Sequence, residues 1–497
     1  MSAYSATAGA AAPPDPRRWV ALVVLLIANF MNLIDVTIVN VALPSMRTGL
    51  GASDTQIEWV VAAYILAFAL GLLPFGRLGD ILGRTTLFLW GVAGFTVASA
   101  LCGMAPNIEF LIIARVIQGL AGAMMTPQVL AIATVTFPQH ERGQAFSLFG
   151  LSAGLAAVCG PILGGLLIDA QLFGLDWQPI FLVNVPVGIA AVVAGLYLIP
   201  RVPGHPDIKN DYVGIALFGI SIIALVFPIV EGRAYDWPLW AFAMIVAGAV
   251  GLVAFFFWQR ARAQRNEPQL LNYDLLTNKD FMFGAFVVTI FASGIPGMFM
   301  VISLLLQGGF GFSPLESGLT NTPFSVGVLI ASAIAGRFGG NYLRGRLAAA
   351  GALLAGGIGW LHFIIANLGD TIDHWSFLPP LLLAGIGLGL GFSSLFQLVL
   401  ANVPPRDAGA GSGSLQAFQQ VGGALGVALV GQLFFTTLAA DFAAGSAPHA
   451  AFANATANAL WYQVAAFTAV LLLAFFFKAL RRGVGSAVPQ QHAAIEV

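Results

Sequence analysis

The stretch FMNLIDVTIVNVALPSM, Phe30 to Met46, closes an apolar run that opens at Trp19. Asp35 is the only formally charged residue between Arg18 and Arg47. A run of this length can cross a bilayer, whose hydrocarbon core takes about 20 apolar residues of helix. A carboxylate near the middle of such a span costs about 2.5 to 3.5 kcal/mol on insertion scales. An acid kept there at that cost marks a functional position by default. Asn32 precedes it by one helical turn, so the spacing predicts a partly polar stripe turned inward.

The rest of the chain is of the same kind. Of its 497 residues 58% are hydrophobic and 9% charged, with a mean hydropathy of +0.88. A soluble domain carries about 25% charged residues. Most of this surface must therefore face lipid, and the class is an all-α polytopic membrane protein. The net charge of −1 offers no basic face for nucleic acid. Cys102 and Cys159 both fall in apolar runs and imply neither a disulfide nor a metal site. No nucleophile constellation, metal cluster or phosphate-binding loop is evident, so no enzyme activity and no cofactor are expected. The lack of a Walker motif argues against ATP as the energy source. Arg17-Arg18 before an apolar run resembles a secretory signal, but the run is too long and contains an acid. An uncleaved first span behind a disordered cytoplasmic leader, residues 1–17, is expected instead.

Apolar runs separated by polar breaks recur near 18–44, 55–75, 86–105, 108–132, 144–169, 179–200, 212–230, 238–258, 281–306, 316–336, 347–367, 376–400, 411–438 and 459–480. That predicts fourteen spans, with both termini on one side. Numbering the breaks alternately puts eighteen of the 21 basic residues on that side. Arg47 and Arg233 fall on the other side, and Arg115 lies within a span. The positive-inside rule makes the basic side cytoplasmic.

The chain also repeats. GRLGDILGR (Gly76 to Arg84) follows the second span, and GRFGGNYLRGR (Gly336 to Arg346) follows the tenth, at an offset of 260. Each lies between the second and third spans of a six-span set. This predicts an N-terminal six-helix bundle over 18–200 and a C-terminal one over 281–480. A linker with two inserted helices, 201–280, lies between them, and a cytoplasmic tail, 481–497, follows. The two inserted spans carry no charge in their apolar runs and are expected against lipid. Parallel halves around a midplane site are a transporter arrangement.

Four stretches now resemble the major facilitator superfamily, and within it the fourteen-span drug:proton antiporters. LIDVTIVNVALP (Leu33 to Pro44) is similar to the first-helix motif, whose acid is a protonation site; the resemblance assigns that role to Asp35. GRLGDILGRTTL (Gly76 to Leu87) is similar to the motif of the loop after the second helix. Gly76 and Gly79 are expected to permit a tight turn there. The resemblance makes Gly76, Gly79, Asp80, Gly83 and Arg84 a conformational latch, with Asp80 near the start of the thirteenth span in an outward-open state. Ile81 and Thr85 stand where many members carry a basic residue, which thins that charge network. LIIARVIQGLAGAMM (Leu111 to Met125) is similar to the fourth-helix motif. Arg115, Gln118, Gly119 and Gly122 share one helical face, and an intramembrane arginine faces the bundle interior. GPILGG (Gly160 to Gly165) is similar to the fifth-helix motif of antiporters, largely absent from symporters. Gly160, Gly164 and Gly165 allow close helix approach, and Pro161 removes a helical donor. Close packing alone also explains this stretch, and is how the non-cytoplasmic side would seal.

FQQVGGALGVALVGQ (Phe418 to Gln432) resembles the family as well. Gln416, Gln419 and Gln420, with Gln307, Gln397, Asn32 and Gln118, are candidate substrate contacts; for the glutamines of spans 9, 12 and 13 a satisfied interior polar group is the first reading. The resemblance implies a proton-coupled exporter of lipophilic small organic compounds in a bacterial cytoplasmic membrane. Its partners are substrate, protons and lipid, and it is expected to be monomeric. The alternatives are a symporter or importer of one solute, which needs more converging polar groups than the sequence offers, and a non-transporting receptor or scaffold, which does not account for Asp35 with Arg115. Glu58 and Glu316 fall at non-cytoplasmic helix ends. With Asp35 the one acid at membrane depth, monocations or neutral lipophiles are the expected cargo.

Overall fold

The computed structural model describes residues 16–138, 141–204, 209–338, 342–401, 403 and 408–477. All but the last two residues of the predicted leader, the end of the last predicted span and the predicted tail lie outside them. Among the described residues every regular element is a helix. In chain order the long rods are α1 (Arg18–Leu50), α2 (Asp54–Leu82), α3 (Arg84–Gly103), α4 (Ile108–Thr136), α5 (Arg142–Asp169), α6 (Pro179–Leu198) and α7 (Tyr212–Glu231). They continue with α8 (Leu239–Gln264), α9 (Lys279–Gly309), α10 (Pro314–Phe338), α11 (Leu343–Ala366), α12 (His374–Leu400), α13 (Ala408–Ala443) and α14 (Pro448–Ala474).

Local chemistry sets the ends. α1 stops at Gly51, which takes the left-handed conformation (φ 61°), as a helix C-terminus commonly requires. Ser53 then opens α2 with a capping box closed by Gln56. Gly83, at φ 100°, turns the chain from α2 into α3. Asn107 caps α4 and Asp211 caps α7. Gly76 and Gly79 lie inside α2 rather than in a turn, which corrects the expectation drawn from the motif. A Cβ on Gly79 would run into the Gln128 side chain, so this glycine serves the close approach of α2 to α4. Gly83 alone makes the turn.

Among the described residues, twelve of the rods are long and apolar enough to cross a membrane. α5 and α10 are long helices outside that set. The described apolar part of α5 is Val158–Asp169, and α10 opens with a polar run from Glu316 to Thr322.

The rods pack as two groups. In the first, α2 and α3 lie on α4, and α1 lies on α5 and α6. In the second, α11 lies on α12 and α14, α10 on α12, and α9 on α13. α7 and α8 pair with each other. Only 17% of the apolar part of α8 is buried, so α8 presents an outward face. α7 is different: it packs against both α2 and α13. Its ends also carry charge inward. Asp211 is buried and receives hydrogen bonds from Trp258 and Gln259, and Arg233 reaches α2. An inserted pair without buried charge was expected; the charges sit just beyond the apolar run, where hydropathy does not register them.

The two groups touch at the end of the molecule marked by Gly51. Gln307, in a π-helical turn at Leu305–Gly309 of α9, donates to the Val41 carbonyl of α1 at 2.8 Å. A Cβ on Gly165 would overlap the backbone of Leu315 in α10, and one on Gly318 the carbonyl of Pro161. α13 brings Gly431 against the Glu58 carboxylate of α2. At the opposite end, a cavity of about 470 Å³ lies between α2, α4 and α13.

Candidate functional site

Asp35 is fully buried, and the polar network around it draws on α2, α3, α4 and α6. Arg115 Nη1 of α4 donates to Asp35 Oδ2 at 2.5 Å. Gln118 Nε2, one turn on, donates to Asp35 Oδ1 at 2.8 Å. Asn184 Nδ2 of α6 donates to the same oxygen at 3.4 Å. Ser99 of α3 accepts from both Gln118 and Asn184 and donates to the Phe181 carbonyl. The guanidinium also donates to the Gln118 side-chain oxygen and, through Nε, to the Val60 carbonyl of α2. Its carbon lies 4.1 Å over the Tyr64 ring, a cation–π contact strengthened by the burial of Arg115. Tyr64 Oη in turn donates to Asn32 Oδ1 at 2.6 Å.

Among the described residues, every hydrogen bond that Asp35 accepts comes from inside the first group. The polar stripe read from Asn32 and Asp35 therefore points into the core of one group, not across to the other. The physical reason is Arg115. A guanidinium withdrawn from solvent has to find a carboxylate and further acceptors, and α4 meets them within the same group.

The remaining predicted residues do not gather there. Asp80 and Arg84 pair at 2.6 Å, and Gly76, Asp80 and Arg84 line the 470 Å³ cavity together with Gln128, Ser412, Gly413 and Gln416. Ser412, Gly413 and Gln416 near the start of α13 thus line the same cavity as Asp80, in the last turn of α2. Gly160 and Gly164 pack on Thr37 and Ile38 of α1, while Pro161 and Gly165 pack on α10. Gln307 bonds Val41 and Ser303. Gln419 and Gln420 are half-buried on α13 and Gln397 is exposed on α12. Ser99, Tyr64 and Asn184 were not anticipated. Polar residues within largely apolar spans were the available signal, and Asn184 within FLVNVPVG was the plainest.

Residues 25–213 and 206–427 match the Major Facilitator Superfamily. The chain belongs to that superfamily. It is 42% identical over 86% of its length to the "Probable actinorhodin transporter" of Streptomyces coelicolor, covering 74% of that protein. It is 34% identical over 95% of its length to the puromycin resistance protein pur8 of Streptomyces alboniger, covering 93% of it. The fold is also that of the POT family transporter PepTSo, at a TM-score of 0.68 and 15% identity over 94% of this chain and 99% of that one. The chain is accordingly a membrane transporter of the superfamily's drug efflux family and not an enzyme.

Proposed function

We propose that this transporter is a proton-driven antiporter that exports lipophilic small organic compounds, as monocations or neutral species, from the cytoplasm or inner leaflet. The carrying observation is the Asp35–Arg115 pair, withdrawn from solvent inside one helix group. Replacing a buried ion pair by well-packed apolar residues is often neutral or stabilising. Stability alone therefore gives little reason for this pair and its ring of amides. A carboxylate that can gain a proton and let go of a guanidinium is a switch, and a proton entering the cell is driven by about 2.3 kcal/mol per 100 mV.

In this reading α5 and α10 complete fourteen spans, six in each bundle with α7 and α8 inserted. Both termini are cytoplasmic in a bacterial cytoplasmic membrane. The Gly51 end is then the outer end, shut here at its three seams, and the protein works as a monomer. The names of its relatives support an antibiotic or similar compound as cargo.

Reconstituted protein tests this. An imposed pH gradient, acidic on the face equivalent to the cell exterior, should drive uphill movement of ethidium and of neutral dyes from a panel, and nigericin should abolish it. Movement across the whole panel that ignores the pH gradient overturns proton coupling. Equally fast transport of rigid dications overturns the charge rule, because a second desolvated charge would need a counter-charge of its own.

A further inference from the structure

A second buried acid lies at the seam where the first group, the second group and the inserted pair meet. Glu58, in the first turns of α2, is 1% exposed. Arg233, just beyond α7, donates to its Oε1 at 3.1 Å, while Oε2 is buried with no hydrogen-bond partner among the described residues. That carboxyl group rests against Gly431 of α13, where there is no room for a Cβ. The Arg233 guanidinium also lies 4.9 Å over the Phe435 ring of α13.

The charges around Glu58 do not balance. α1 contributes Arg47, which pairs with Asp54 at 2.6 Å. α2 contributes Asp54 and Glu58, and Arg233 lies 4.0 Å from Asp54 as well. α7 contributes Glu231, which accepts from Trp59 Nε1 at 2.7 Å. α13 presents Gly431 and Phe435 and, among the described residues, brings no charge to the contact. Glu109 of α4 is bonded to Gln56 and exposed. Among the described residues two guanidiniums thus face three carboxylates, and the most buried carboxylate of this cluster has an oxygen with nothing to accept from.

We infer that Glu58 is a second proton-binding site, separate from Asp35, that opens only to the outer side and gates closure of the outer end. Closing this end seals Glu58 between α2 and α13. With a proton on its free oxygen the sealed cluster is neutral; without one it keeps an uncompensated negative charge out of water, which is costly. One proton from outer water joins the carboxylate as the end closes and returns to the same water when it reopens. No proton crosses the membrane by this route. The inserted pair thereby gains a role, because it supplies Arg233, the cation that makes a buried Glu58 tolerable.

This proposal rests on the two groups parting at the outer end, as transport requires, and not on Asp35 carrying protons. Its test is therefore made in an Asp35→Asn background. Nitroxides at Thr48 and Ala439, with Cys102 and Cys159 replaced by serine, report the outer opening by pulsed electron resonance in lipid nanodiscs. The open fraction should rise with pH, and Glu58→Gln should remove that dependence and hold the end shut. A pH dependence that survives Glu58→Gln, or that is absent from the start, overturns the proposal. Arg233→Gln leaves the carboxylate without its cation and should favour the open distance at alkaline pH several-fold; an unchanged distance distribution there also overturns it.

Discussion

Arg115 and Asp35 meet at 2.5 Å with side chains 2% and 0% exposed, and the same guanidinium is covered by the Tyr64 ring. Neither charge can turn to water if the other is lost. Arg115→Met should therefore destabilise the protein by about 3–5 kcal/mol, the usual cost of leaving one buried charge unpaired. Adding Asp35→Asn removes the orphan and should recover most of that loss, since two neutral side chains of similar size remain. Thermal unfolding in detergent of the two single variants and the double variant checks the non-additivity.

Gly165 and Gly318 let α5 and α10 touch backbone to backbone at the end where the groups meet. Gly165→Val would put a branched side chain into the Leu315 backbone. The chain need not unfold to avoid this, because the seam is between groups. The expected result is normal insertion, loss of the closed outer end, and transport reduced at least tenfold. Cysteine cross-linking across the α5–α10 seam should fall in parallel; retained cross-linking with retained transport would show that the seam tolerates the bulk.

Asp80 and Arg84 are about a third exposed, at 27% and 33%. A pair so open to water is worth about 0–1 kcal/mol. Asp80→Asn should leave the melting temperature nearly unchanged. Because the start of α13 faces the same cavity, the variant should slow transport several-fold while substrate affinity stays close to normal. Parallel loss of affinity and rate would assign Asp80 to the binding site instead.

Much of this was legible in the sequence because membranes impose simple rules. Long apolar runs and one-sided arginines pointed to the helices, and the rarity of intramembrane charge singled out Asp35 and Arg115 before any geometry was known. The orientation of Asp35 was not legible. Helical spacing says which residues share a face, but which neighbour that face meets depends on Arg115 arriving from a helix 80 residues away. The Glu58–Arg233 contact was hidden for the same reason, across 175 residues. Gly76 and Gly79 were misread as turn glycines because a motif records identities, whereas the use of Gly79 depends on whether Gln128 or solvent lies opposite.

Asp35→Asn is the decisive substitution for proton coupling. The amide keeps the size of the carboxylate and can still accept from Gln118 or Arg115 through its oxygen, so the network around it need not collapse. It loses the negative charge that balances Arg115, yet the guanidinium retains Gln118, the Val60 carbonyl and the Tyr64 ring as partners. Insertion and folding should therefore survive, with some loss of stability, because the guanidinium stays charged among neutral partners. What the amide cannot do is exchange a proton. If Asp35 couples transport, the variant should bind substrate and exchange it down its own gradient in proteoliposomes, while uphill transport driven by pH is lost. Uphill pumping at near wild-type rate would reduce Asp35 to a brace between helices and move the search for the coupling group elsewhere in the bundle.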